Sequence, residues 1–152
     1  MTLVIDPDRF LETGSGRVWT PERNAEAWRL AYAALERSLV GGGIDRLVIV
    51  CGLQGAGKST WIAAQDRDAG RVYVDAALPG VRHRAPIIAI ARRHGVPVEA
   101  VWIRVPLDVA LYRNRRRRAD TIVSEATIRS VANLFEPPTV EEGFAQVRIV
   151  AA

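Results

Sequence analysis

The sequence predicts an α/β fold: a five-stranded, mostly parallel sheet with helices on both faces. Three observations predict it. Strand-like and helix-like segments alternate along the 152 residues. Leu47–Cys51 is a continuous apolar run, as expected of a strand buried on both faces of a parallel sheet. That run enters a glycine-rich turn, and a helix follows from about Lys58.

The remaining elements follow in order. Leu3–Ile5 is a short apolar strand. Thr20 caps a helix with Pro21 at its first position. Trp28, Ala31, Tyr32, Leu35 and Leu39 are spaced as one buried face of that helix. Gly41–Gly43 stop it. Arg71–Val74 is a strand ending at Asp75. Pro86 opens a helix with Ile87, Ile90 and Ala91 on one face, and Gly95 closes it. Val98–Val105 is a strand and Leu107–Arg118 is helical. Ser124 caps a helix that turns Ile128, Val131 and Leu134 inward, and Val147–Val150 is the last strand. Gly14–Gly16, Gly41–Gly43 and Glu136–Thr139 are possible hinges. All are too short to separate domains, so residues 1–152 form one. No internal repeat is present.

Composition excludes several classes. With 49% hydrophobic and 25% charged residues the chain is globular. No apolar run approaches the ~20 residues of a membrane span. Asp6 and Asp8 stand early, without the basic-then-apolar order of a signal peptide. Cys51 has no partner for an internal disulfide, and a reducing cytoplasm is the expected compartment. The net charge is +4, and Lys58 is the only lysine among 21 basic residues. The arginines are either a solvated basic surface or partners for a phosphate-rich ligand, since the guanidinium fork bonds two oxygens at once.

Gly52-Leu53-Gln54-Gly55-Ala56-Gly57-Lys58-Ser59 fits G-x-x-x-x-G-K-[ST] at every fixed position, with the strand and helix this P-loop requires on either side. The fold class is therefore a three-layer P-loop NTPase. Glycines let backbone N–H groups turn toward a β-phosphate, and the helix N-terminus adds positive potential. Lys58 is expected on the β- and γ-phosphates, Ser59 on Mg²⁺, and Thr60 beside them. The expected ligands are ATP and Mg²⁺. A guanine-specific [NT]-K-x-D motif is absent. Trp61 reads as core in preference to an adenine platform. His83 and His94 have no metal spacing.

Four further segments carry a resemblance: Val72-Tyr-Val-Asp75, Arg93-His-Gly-Val-Pro97, Leu111-Tyr-Arg-Asn-Arg-Arg-Arg-Arg118 and Phe135-Glu-Pro-Pro-Thr-Val-Glu-Glu-Gly-Phe144. Over roughly residues 47–150 the chain resembles P-loop kinases of the polynucleotide kinase type, among the AAA-family ATPase-like and zeta-toxin-like kinases. The resemblance implies an arginine-rich lid over 113–123, with Arg113 and Arg117 on one helix face offsetting charge on the transferring phosphoryl group. Arg115, Arg116 and Arg118 are surface residues or contacts to a phosphate-bearing acceptor. Asp75 resembles the carboxylate that holds a Mg²⁺-bound water near Ser59. The family continues this strand end as D-x-T-N, whereas Asp75-Ala-Ala-Leu78 stands here.

Such kinases carry an acceptor-activating carboxylate in a D-x-x-R motif after the P-loop helix. Only Thr60–Val74 separates Ser59 from Asp75, which leaves no room for it. Asp6-Pro-Asp-Arg9 supplies the pattern at the end of the first strand. Residues 1–43 thus resemble the missing strand–helix unit, circularly permuted to the front. The expected sheet order is Leu3–Ile5, Arg71–Asp75, Leu47–Cys51, Val98–Val105, Gln146–Val150. Asp6 would be the general base, with Asp8 as rival, and Arg9 would hold an acceptor phosphate. The plain alternative is an ordinary N-terminal strand and turn.

The leading functional reading is an ATP-dependent kinase acting on a hydroxyl, with a polynucleotide or oligonucleotide 5′-OH as the favoured acceptor. No segment reads as an aromatic stacking platform. A small-molecule kinase is the rival, and a regulatory or toxin-like ATP-binding module is a third reading.

Overall fold

The computed structural model describes residues 3–65 and 70–151. Its centre is a parallel sheet of β1 (Leu3–Ile5), β5 (Arg71–Asp75), β4 (Arg46–Cys51), β6 (Val98–Arg104) and β7 (Gln146–Ala151), in that order. The expected order is borne out. Ile5 aligns with Val74, and Val50 with Asp75, so the three strands beside the P-loop end at one level. A two-stranded hairpin, β2 (Glu12–Thr13) and β3 (Gly16–Arg17), lies outside the main sheet. The supposed hinge at Gly14–Gly16 is its turn.

Two apolar layers flank the sheet. On one face Leu47, Ile49, Val72, Val74 and Ala100 pack beneath α1 (Pro21–Val40) and α3 (Val81–Arg93). On the other, Val48, Val50, Tyr73, Val101 and Ile103 pack beneath α2 (Lys58–Ala63) and the start of α4 (Leu107–Arg115). Helix α1 forms as its sequence dictates. The Thr20 hydroxyl accepts from the Arg23 N–H, and Ala27, Ala31, Leu35 and Leu39 recur every fourth residue on the buried side. Cys51 is buried, which pushes its thiol up to about 11 and leaves it a core residue. Trp61 is half-buried against the edge of Tyr73, with the Arg148 guanidinium over its ring, in keeping with a packing role.

Helices α3, α4 and α5 each depart from the sequence reading. Pro86 lies inside α3, which begins five residues earlier at Val81. The Gly80 N–H donates to His83 Nδ1 at 3.0 Å, and the buried Arg84 anchors the first turn, so tertiary contacts outweigh the one backbone bond Pro86 cannot make. Helix α4 stops at Arg115, because the buried Asn114 amide donates to the Val123 carbonyl and accepts from the Val123 N–H, folding the chain back. In α5 (Glu125–Leu134) Ile128 is buried, whereas Leu134 is 65% exposed at the last turn.

Candidate active site

The P-loop sits where β4 hands over to α2. Gly55 shows why the motif needs glycine: its φ is +84°, and a Cβ there would lie 2.4 Å from the Ala110 carbonyl oxygen. Helix α4 therefore rests on the loop itself, and Arg113 from its last turn donates to the Ala56 carbonyl at 3.0 Å. Lys58 Nζ donates to the carbonyls of Gly52 (3.1 Å) and Leu53 (2.9 Å). Burial holds its ammonium below the usual lysine range, against the pull of Asp75. Ser59 Oγ donates to Asp75 Oδ2 at 2.5 Å, joining the P-loop helix to the end of β5.

A cleft of about 970 Å³ opens at this level. Gln54, Gly55, Gly57, Lys58, Ser59 and Thr60 line it from the P-loop, Arg113 from the last turn of α4, and Arg117 from just beyond it. Gly52, Leu53 and Ala56 stand behind the lining: Leu53 and Ala56 pack into the core, and Gly52 is buried. Gln54 Oε1 is buried without a hydrogen-bond donor among the described residues. Arg117 is half-buried, and its pKa is lowered, first by burial and then by Arg17, against Asp8, Asp6 and Asp75. The guanidinium thus stands among the carboxylates that face it across the cleft.

The N-terminal segment reaches the same cleft. Asp6 follows β1 as Asp75 ends the adjacent β5, and both carboxylates line the space. Burial, reinforced by the Asp75 and Asp8 carboxylates, raises Asp6 to about 6. Its Oδ1 accepts from the Asp8 N–H at 3.0 Å and caps the 3₁₀ turn Pro7–Leu11. Asp8 also lines the cleft but is more exposed, 3.7 Å from Arg17. Arg9 is not brought in: its side chain is 67% exposed, 4.0 Å from Asp6, and outside the lining.

Sequence reasoning missed Arg17, which lines the cleft from β3 and pairs with Glu12 at 3.0 Å. Gly16 lets β3 approach Asp120: its φ is +105°, and a Cβ would meet Asp120 Oδ2 at 2.9 Å. There the Arg17 N–H donates to Asp120 Oδ2 at 2.6 Å, and Arg118 reaches Glu12 at 3.0 Å. The hairpin is thereby latched to Arg118 and Asp120. The reading also missed aromatic groups. Trp19, Trp28 and Tyr32 all line the cleft, although no segment of the sequence reads as an aromatic stacking platform. The signal was present in α1, where the buried stripe is aromatic toward the site and aliphatic, Leu35 and Leu39, away from it.

Residues 63–138, half of the chain, match the family model described as AAA domain. The chain belongs to the AAA domain family. The matched stretch starts beyond Ser59 and spans Asp75, Arg113 and Arg117, so it supports the P-loop assignment without using the P-loop. This AAA domain is a P-loop nucleotide-binding, kinase-like domain. No helix among the described residues is long and apolar enough to cross a membrane.

Proposed function

We propose that this AAA domain is an ATP-dependent phosphotransferase that moves the γ-phosphate to a hydroxyl group. One observation carries the reading: a half-buried carboxylate, Asp6, shares a cleft with Lys58, Ser59, Asp75, Arg113 and Arg117. A module that only binds nucleotide has no use for such a base facing the P-loop.

The P-loop N–H groups and Lys58 would hold the β- and γ-phosphates. Arg113 and Arg117 would offset the charge that develops on the phosphoryl group. Asp6 would accept the proton of the acceptor hydroxyl as its oxygen bonds the γ-phosphorus in line. The bond from that phosphorus to the β–γ bridging oxygen breaks, and ADP leaves with the electron pair. Asp8 is less suited to this role, being exposed and paired with Arg17. Mg²⁺ takes few protein ligands and prefers oxygen, and the Ser59 hydroxyl beside the Asp75 carboxylate fits that need. When bound there, the ion would neutralise phosphate charge. No cluster of three or more His, Cys, Asp or Glu among the described residues offers an all-protein cage.

Residues 1–43 would serve as the acceptor-binding strand–helix unit of a single 1–152 domain, permuted to precede the P-loop, with 113–123 as lid. The neighbouring placement of β1 and β5 supports this. A 5′-OH polynucleotide end is the acceptor that the sequence resemblance favours. The cleft favours a small alcohol, because Arg9 faces solvent and Arg17 is engaged by Asp8 and Glu12. Transfer of labelled γ-phosphate from ATP to 5′-OH oligonucleotides and to a panel of small alcohols tests the reading, with Lys58→Met as control. Transfer that needs Lys58 supports it. Nucleotide binding with no transfer to any alcohol would leave a regulatory module instead.

A further inference from the structure

We propose that the cleft wall beyond Asp6 is an acceptor subsite for a small, uncharged alcohol bearing one flat aromatic ring, with Trp28 and Tyr32 as its platform. The inference rests on the phosphotransfer reading above and adds the class of acceptor.

Position comes first. Arg113 and the α4–Gly55 contact stand over β4 and β6, on one side of Ser59 and Asp75. Trp28 and Tyr32 come from α1, which packs with α3 against β1 and the sheet face opposite to α4. A ring held there would lie on the Asp6 side of the phosphates, where an acceptor must stand for in-line attack.

Construction comes second. Trp28 and Tyr32 are one helical turn apart, with ring centroids at 5.6 Å and planes at 42°. Both are half-buried and pack against the core below, so their rings are supported before anything binds. Leu78 and Pro79 line the same space from the end of β5, and Val131 from α5. Leu78 has φ +44°, the only non-glycine residue with positive φ among the described residues. A leucine seldom adopts that conformation, and it persists only where the surroundings impose it. Here Arg84, fully buried and ion-paired with Glu142 at 2.8 Å, donates to the Leu78 carbonyl at 2.8 Å. The Glu136 N–H donates to the Pro79 carbonyl at 2.7 Å. The buried ion pair thus holds a strained apolar corner against the cleft.

Charge comes third. His83, beside this corner with Glu136 and the Arg84–Glu142 pair, accepts the Gly80 N–H at Nδ1, and burial favours its neutral form. Asp6 and Asp8 face the same space, and Arg17 is committed to Asp8 and Glu12. A flat neutral ring suits that wall, and a polyphosphate backbone does not.

The test uses the full chain with Mg²⁺ and ATP. Acceptors are thymidine, phenyl-substituted primary alcohols, aliphatic alcohols of equal size, and 5′-OH oligonucleotides. The aromatic alcohols are expected to be phosphorylated with a kcat/KM at least about tenfold above the other two classes. Trp28→Leu should raise the acceptor KM about tenfold or more with the KM for ATP within about twofold, and Trp28→Phe should restore it. Best turnover of oligonucleotides or aliphatic alcohols, or an acceptor KM unmoved by Trp28→Leu, would overturn the proposal. Should no alcohol be phosphorylated, the phosphotransfer reading fails and calorimetric titration with thymidine decides the subsite. Binding that Trp28→Leu abolishes supports it, and no binding to the wild-type chain overturns it.

Discussion

Around the P-loop, the structure is close-packed on one fixed motif. Gly55 lies against the Ala110 carbonyl, Arg113 is tied to Ala56, and Ser59 to Asp75. Around Asp6 the parts come from far apart in the chain. Residue 6 meets residue 75 across strand pairing, residue 17 meets 120, and residue 12 meets 118. The first region is centred on one motif, Gly52–Ser59, with α4 and the end of β5 packed on it. The second depends on tertiary placement and on exposed polar contacts. On the phosphotransfer proposal, phosphate binding would be built into the scaffold, whereas acceptor choice would fall to the separately assembled region around Asp6.

The comparison can be broken at several points. Lys58→Met removes the one cation that the P-loop supplies and is expected to lower kcat by about three orders of magnitude or more, read by γ-phosphate transfer. The fold should persist, with an unchanged circular dichroism spectrum. Glu142→Ala acts on the other region. It would leave the buried Arg84 without its partner and should destabilise the chain by about 3–5 kcal/mol in denaturant unfolding. The acceptor KM should rise with it, since Leu78 loses its support.

Asp6→Asn sharpens the contrast through stability. The folded protein holds the Asp6 carboxyl near 6, above its ordinary value of 3.8. The folded state therefore favours the protonated form. The resulting stabilisation is full below the unfolded pKa and is lost as pH rises through about 6. An asparagine carries no such loss and keeps an oxygen to accept the Asp8 N–H. The stability of the variant relative to wild type should grow by about 2–3 kcal/mol between acid and mildly alkaline pH, measured by urea unfolding. A constant difference across that range would show that Asp6 is not a perturbed carboxyl.

The smallest effect is expected at the latch. Glu12→Gln weakens exposed pairs to Arg17 and Arg118 and should leave the thermal midpoint where it is. The acceptor KM should rise about twofold, with the KM for ATP unmoved.

The two regions also differ in how far the sequence discloses them. Five strands, their order, the Thr20 and Ser124 caps and the P-loop were legible, because apolar runs, caps and fixed motif spacing act locally. The start of α3 was not, because the buried Arg84–Glu142 pair joins residues 58 apart and outweighs Pro86. The meeting of Asp6 with Asp75 was legible from a missing motif in one place and its pattern in another. Arg17 was not, because nothing in residues 14–17 signals a hairpin folded onto Asp120. Trp28 and Tyr32 were read correctly as inward-facing. That the upper part of α1 faces a cleft follows only from how the helix lies across β1.

The most direct test of a single centre shared by Asp6 and the P-loop is the pH–rate profile of γ-phosphate transfer for wild type and Asp6→Asn, on whichever alcohol proves the best acceptor. Wild-type kcat/KM should rise with pH through a limb near the value of about 6 set for Asp6. The variant should lose that limb and about 10²–10⁴-fold in kcat, with ATP affinity retained. An Asp6→Asn protein with full activity and an unchanged profile would contradict the account.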